Sequence, residues 1–555
     1  MDLYQKEIDK LYEIGTNHSM DYDFKLPIEY TTHNKLNNII RQDLEIGTPS
    51  IYKYILPENS ILMDKWSSIY TTDTSFLKDT QKWIKNVSIN SYDPEPFYKE
   101  YENFCSETNF IEKYQYMSLK CLQKLNNSTA FLHCLGMYNL ASPLLSLLSP
   151  IFILIMPFVI LKIRGIKVTI QLYIEHLKSV LTNTSLYKLF SGFNKISFQE
   201  KSSAVVSLFI YFLQVYTNVT SCISFYRNIH KVYDFILKYK THLSKSLDLI
   251  DNLQHIKAYP SYSGFYNVMQ DFHKKIDTLY KKIDNVIVSN SFFIKFGQLG
   301  YLMTLYYDFF MNQENNNTIM YTFYLNQYST DLNSVRKLIE NKSLNSCKYK
   351  KYTKMKGLYY LPHIGQAVSN DVTLKKNLII SGPNASGKTT ILKSILINSL
   401  LSQQFGYGCY KSARVKCYDL FHSYLNIPDT SGRDSLFQAE ARRCKEILDC
   451  ISENPEKIHL CIFDELYSGT NPTDAVMCAK IYINKMNEHK KKVDYLITTH
   501  YIELCNFFDK NDFVYNMKMK VTEIEDNIEY KYKLVEGIST INGGKYILKQ
   551  LESEK

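Results

Sequence analysis

The stretch that most limits the fold is Ser381–Thr390, SGPNASGKTT, which contains Gly-x4-Gly-Lys-Thr. Before it stands the apolar NLII, and after it the helix-like ILKSILINSLL. A buried strand, a glycine turn and a helix in that order form a phosphate-binding loop, and such loops sit at the C-terminal end of a parallel strand. Gly382, Pro383, Asn384, Ala385, Ser386 and Gly387 supply the turn. Lys388 is placed to reach the β- and γ-phosphates of ATP, and the Thr389 hydroxyl, followed by Thr390, to ligate Mg²⁺. The positive end of the following helix adds to the attraction for phosphate.

Two later strands complete this chemistry. KIHLCIFDEL runs four apolar residues into Asp464 and Glu465. Asp464 is placed to hold the Mg²⁺ shell, and Glu465 to polarise an attacking water. VDYLITTH ends on His500, at the ligand-facing end of a third strand, where it can sense the γ-phosphate. Short apolar strands alternating with helices from Tyr359 onward predict a doubly wound α/β domain over 357–555, with a β-hairpin turning near 525–527.

An acidic pair and a strand-end histidine are the set of ABC-type ATPases, but no Leu-Ser-Gly-Gly-Gln precedes the acidic strand. In its place is SGRDSLFQAE. With GPNASGKTT and DELYSGTNPTDA, this segment resembles the ATPase domain of the MutS family of DNA mismatch repair proteins, from about Gly365 to Leu551. The resemblance implies that Ser435 acts on the ATP of a facing second domain, that Phe437 and Glu440 belong to the same signature, and that Tyr532 stacks on adenine. It also implies ATP hydrolysis with Mg²⁺, a homodimer closing through the ATPase domains, and double-stranded DNA as partner. The Gly-x-Phe-x-Glu signature of mismatch reading does not occur before residue 345.

The rest of the chain has another character. Residues 1–124 read as mixed, mostly helical and polar. Leu125–Leu161 and Ser202–Tyr226 contain no Asp, Glu, Lys or Arg, and about 20 apolar residues span a bilayer. Residues 125–227 therefore carry two candidate crossings, about 141–161 and 203–226. Pro143, Pro150 and Pro157 predict a break in the first run, which a hairpin dipping into the membrane within 126–161 would accommodate. The arm region 228–345 has a heptad seam at Phe265, Met269, Phe272, Ile276, Leu279, Ile283 and Val286, and another from Val232 to Ile250. Both predict long packed helices.

The net charge of +10 is mild for 555 residues and is compatible with nucleic acid or anionic lipid. Twelve cysteines without a Cys-x2-Cys pair indicate free thiols in a reducing compartment. The charged N-terminus MDLYQKEIDKLYEIG is unlike a secretory signal, so an intracellular protein is expected. The leading expectation is a MutS-like ATPase acting on DNA. The alternatives are a membrane-tethered ATPase, its ATPase domain on the cytoplasmic side, and an ABC-type transporter subunit.

Overall fold

The computed structural model describes residues 22–46, 51–86, 92–165, 169–183, 198–289, 291–425, 427, 435–524 and 527–541. The chain divides into two compact units. The first comprises 1–22, 93–247 and 274–321. The second comprises 23–92, 248–273 and 322–555. Residues 23–86 thus belong to the same unit as the phosphate loop, and the unit boundaries fall at places other than 124, 227 and 345.

The first unit is helical. Its long elements are α1 (Thr129–Ile163), α2 (Ile170–Asn183), the first part of α3 (Phe198–Leu253), the second part of α4 (Ser263–Asp284), α5 (Leu299–Met311) and the start of α6 (Gln313–Glu340). Ser128 caps α1, its side chain accepting a hydrogen bond from the Phe131 amide. The break expected at the three prolines is absent, and α1 is one helix from Thr129 to Ile163. A local device explains two of them. Pro143 and Pro150 have no N–H to give to the carbonyls of Asn139 and Ser146. The hydroxyls of Ser142 and Ser149 bond those two carbonyls instead, at 2.9 and 2.8 Å.

The seam positions Val232, Ile236, Tyr239 and Leu243 of α3 are buried. Tyr239 stacks on Phe309 of α5 at 4.5 Å. Phe235 lies against Phe104, which meets Tyr306 and Phe310. This aromatic cluster is the core of the unit.

Besides a two-stranded antiparallel sheet of His33–Lys35 with Ile69–Thr71, the second unit holds two larger sheets. The strands are β1 (Asn345–Tyr349), β2 (Thr353–Leu358), β3 (Asn370–Leu374), β4 (Asn377–Ser381), β5 (Tyr407–Gly408), β6 (Ser412–Val415), β7 (Leu420–Tyr424), β8 (His459–Asp464), β9 (Val493–Thr499), β10 (Val514–Ile524) and β11 (Asn527–Glu536). The larger sheet runs β11-β10-β4-β9-β8-β7. Its strands are parallel except β11, which returns antiparallel on β10. The residues between these two strands, where the turn was expected, lie outside the described residues. The parallel part is the α/β sheet that the sequence predicts. The antiparallel edge makes the sheet mixed.

A second, five-stranded sheet, β3-β2-β6-β1-β5, was not anticipated. Its strands are short, and one of them, in SCKYKKY, reads by composition as a charged linker.

Four helices cover the larger sheet: α7 (Lys388–Ser402), α8 (Leu436–Glu453), α9 (Pro472–Glu488) and α10 (Ile502–Phe508). Cys461, Phe463, Tyr495 and Ile497 form a buried cluster with residues of α8, α9 and α10. Strand side chains alternate between faces, so Leu460, Ile462 and Leu496 face the other way, where α7 lies. β4, β8 and β9 are buried on both sides, which is why their sequences are largely apolar.

Candidate functional site

The loop after β4 turns into α7 through Gly387, whose φ is 93°. A side chain there would be strained in that conformation, and its Cβ would come within 3.2 Å of the Tyr532 ring. Ala385 also has a positive φ, 62°. The loop points the ammonium of Lys388 inward, where it is buried and donates to the carbonyls of Gly382 and Pro383 at 2.9 and 3.1 Å. The Asn384 side-chain oxygen accepts from it at 3.4 Å.

β8 and β9 bring the acids to this loop. The Thr389 hydroxyl donates to Asp464 Oδ2 at 2.6 Å. Thr498, at the end of β9, donates its hydroxyl to Asp464 Oδ1. Glu465 Oε1 lies 3.1 Å from Lys388 Nζ, and Glu465 Oε2 lies 3.8 Å from His500 Nδ1. Glu465 has a φ of 52°, and its amide donates to Thr498 Oγ1 at 3.1 Å. A non-glycine residue in the left-handed region at a strand end is the kind of backbone strain found at working sites. The imidazole of His500 and the ammonium of Lys388 hold the Glu465 carboxyl at about 2, against the opposing effect of burial.

Asn384, Ala385, Gly387, Lys388, Thr389, Thr390, Asp464, Glu465 and Tyr532 line one cavity of about 700 Å³. Its other wall is aromatic and polar: Tyr359, Tyr360, His363 and Asn370. Tyr532 has a φ of 52°, and its carbonyl accepts from Asn370 Nδ2 at 3.0 Å. Gly382, Pro383 and Ser386 belong to the loop without lining the cavity, and His500 reaches it through Glu465.

Ser435 stands apart from this cavity. It is the exposed N-cap of α8, with Oγ accepting from the Gln438 amide at 3.3 Å. Residues 431–434 of the signature lie outside the described residues. Glu440, one turn into α8, is buried and accepts from Ser468 N, Ser468 Oγ and Gly469 N at 3.0, 3.0 and 3.2 Å. It thereby ties the signature helix to the loop that follows Glu465. Phe437 packs at a tilt near Tyr467 of that loop, with ring centroids 5.8 Å apart.

Thr498 and the second pocket wall were not singled out from sequence. A threonine in LITTH carries no pattern of its own, and only the parallel register of β8 on β9, which pairs Asp464 with Thr498, puts it in place.

The profile of MutS domain V matches residues 378–551, which include the phosphate loop, both acids, His500, Ser435 and Tyr532. The C-terminal third of the chain belongs to the MutS family, as a divergent member. It is 29% identical over 189 residues to the DNA mismatch repair protein MutS of Flavobacterium johnsoniae. It is 30% identical over 195 residues to that of Phocaeicola vulgatus and 29% over 209 to that of Aquifex pyrophilus. Each match covers 34% of this chain and 21 to 24% of the relative. The chain thus spans about a fifth of the length of the curated relatives it matches. The MutS family is one of ATPases of α/β type.

The oxygen donors Thr389 Oγ1 and Asp464 Oδ2, 2.6 Å apart beside the phosphate loop, fit Mg²⁺, a small hard cation that prefers carboxylate and hydroxyl oxygens together with substrate phosphates.

Proposed function

We propose that this chain is a MutS-like ATPase that hydrolyses ATP with Mg²⁺, closes as a homodimer through its ATPase domains and acts on double-stranded DNA without reading mismatches. The observation that carries the reading is the convergence of Lys388, Thr389, Asp464 and Glu465 within hydrogen-bonding or ion-pair distance in one cavity.

The backbone of Gly382–Gly387 and the ammonium of Lys388 bind the phosphates. Thr389 and Asp464 would hold the Mg²⁺, which would supply charge neutralisation to the phosphates. Glu465, kept ionised by His500 and Lys388, orients the attacking water by accepting its hydrogen bond. His500 holds Glu465 and sits where a γ-phosphate oxygen can meet it. Tyr532 offers its ring to the adenine. Ser435, exposed at the positive end of α8, is available to the ATP of a second copy.

DNA as partner rests on the similarity to DNA mismatch repair proteins and on the net charge of +10. The test is turnover by the full chain with and without double-stranded DNA, at low and high protein concentration. Stimulation by DNA and a rate per site that rises with concentration support the reading. A rate indifferent to both opposes it.

A second reading, a membrane-tethered MutS-like ATPase, is favoured by one observation. Helices carrying Thr129–Ser149 and Lys201–Ala258 are long and apolar enough to cross a bilayer. Their large apolar side chains are exposed, as at Leu147 and Phe209. Retention of the full chain in membranes washed with alkaline carbonate tests it.

A further inference from the structure

The charge-free part of α3, Ser202–Tyr226, is half-buried or buried at Tyr211, Val215, Asn218, Cys222 and Phe225. These recur at steps of 4, 3, 4 and 3, the spacing of one helix face. That face lies on α1. The Tyr211 hydroxyl and the Cys222 thiol each reach a carbonyl of α1, of Leu147 and Leu140, at 3.4 Å. A Cβ on Gly136 would stand 3.5 Å from the Phe225 ring. The pairs 136 with 225, 140 with 222 and 147 with 211 run in opposite directions, so α1 and α3 form an antiparallel hairpin.

Outside that seam α3 is apolar and exposed. Val205, Val206, Phe209, Ile210, Phe212 and Leu213 are 49 to 67% exposed and spread over nearly half of the helix circumference. α1 matches it with Leu144, Leu147, Ile151 and Phe152, 48 to 59% exposed. A helix that docks on another protein needs one apolar stripe, whereas here the outer arc is broadly apolar from Val205 to Leu213, and the exposed Thr217 and Thr220 further along give their hydroxyls to carbonyls of their own helix, Gln214 and Thr217, at 2.9 Å. The 25 charge-free residues of α3 measure about 37 Å at 1.5 Å per residue, and a hydrocarbon core is about 30 Å thick.

Both rims of this band are basic. Lys162, Arg164 and Lys201 stand at one end, and Arg227 and Lys231 at the other. Inside the band, the carbonyls freed by Pro143 and Pro150 are taken by Ser142 and Ser149. Hydrocarbon demands this, because it offers no water to a stranded carbonyl.

We propose that α1 and α3 cross a lipid bilayer as an antiparallel hairpin, with hydrocarbon covering the outer arc. Helix α2 then lies on the far side from the ATPase domain. This rests on the membrane-tethered reading and adds the crossing to it. The basic residues do not choose a side: eight flank the hairpin in 108–128 and 227–247, and seven lie in 162–201. The need of the phosphate loop for ATP does choose, and it keeps the ATPase domain in the cytoplasm.

The test uses the full chain with an epitope inserted after Gly165, where φ is +73° and a Cβ would meet nothing within 4 Å. Sealed vesicles with the ATPase domain outward are washed with alkaline carbonate and, separately, treated with protease before and after detergent. The expected result is retention in the pellet, with the epitope cut only after detergent. Retention with the epitope cut in sealed vesicles would overturn the crossing and leave the membrane reading standing, as an in-plane hairpin. Release by carbonate would overturn both, and the band would then be covered by protein, such as a second copy.

Discussion

Thr389 and Asp464 meet at 2.6 Å between the first turn of α7 and the end of β8, joining two motifs 75 residues apart. The carboxylate of Asp464 is held on its other oxygen by Thr498. This pair is therefore already shaped to share a cation. Replacing Thr389 with Val removes one oxygen and keeps the volume. ATP affinity in Mg²⁺ should fall about tenfold or more, in line with loss of a hydrogen bond to a charged group. The advantage of Mg²⁺ over EDTA should shrink with it. Titration with a fluorescent ATP analogue in both buffers reads this out, and an unchanged Mg²⁺ advantage would count against the assignment.

Ser435 has two separable roles. As N-cap of α8 it supports the helix, and Ser435→Ala should cost about 1 kcal/mol of stability by thermal unfolding. As the residue offered to a facing ATP, its loss should lower turnover at protein concentrations where two copies meet. Ser435→Asp keeps the cap while placing a negative charge toward phosphate. It should hold the melting temperature and still lose turnover. Full activity in Ser435→Asp would reduce Ser435 to a cap.

Glu465 gives a pH prediction. Its folded carboxyl titrates at about 2, below the ordinary 4.5, with His500 the largest cause and Lys388 next. A depressed carboxyl contributes stability that is present above about pH 4.5 and is lost as pH falls toward 2. Turnover should therefore show no acidic limb from this group at pH 5 and above. His500→Ala should move that limb upward. A pH–rate profile of both proteins decides the matter.

Asp331 behaves in the opposite sense. It is buried on α6, accepts from Ser60, Trp66 and Gln327, and burial raises its carboxyl to about 7. The folded protein holds this proton more tightly than the unfolded chain, so stability falls as pH rises from about 4 to 7. Asp331→Asn should flatten that slope, because the amide can keep the three partners once Gln327 turns its own amide over. Urea unfolding at pH 5 and pH 7 measures the difference.

The legible part of the chain was the part whose chemistry is local in sequence. Gly-x4-Gly-Lys-Thr, the acids ending an apolar strand and the histidine ending another each announce a strand end, and β4, β8 and β9 carry them side by side. The five-stranded sheet was not legible, because its strands are short and its pairings distant. Nor was the place of residues 23–86. They join the ATPase unit through Gln404, whose side-chain amide donates to the carbonyls of Trp66 and Ile69 at 2.6 and 2.8 Å, and through Gln403, which donates to Thr71 O at 3.2 Å. Two glutamines at the end of a helix carry no period to reveal such partners. Reading the prolines of α1 as breaks failed for a definable reason. The serines that rescue the carbonyls sit one residue before Pro143 and Pro150, a pattern visible only once the helix is drawn.

The central claim is that Glu465 orients the water that attacks ATP. The most direct test is to compare wild type with Glu465→Gln for steady-state phosphate release and for ATP binding on the same preparations. Turnover should drop by about 10² to 10⁴ while ATP binding is retained. Wild-type turnover in Glu465→Gln would contradict it.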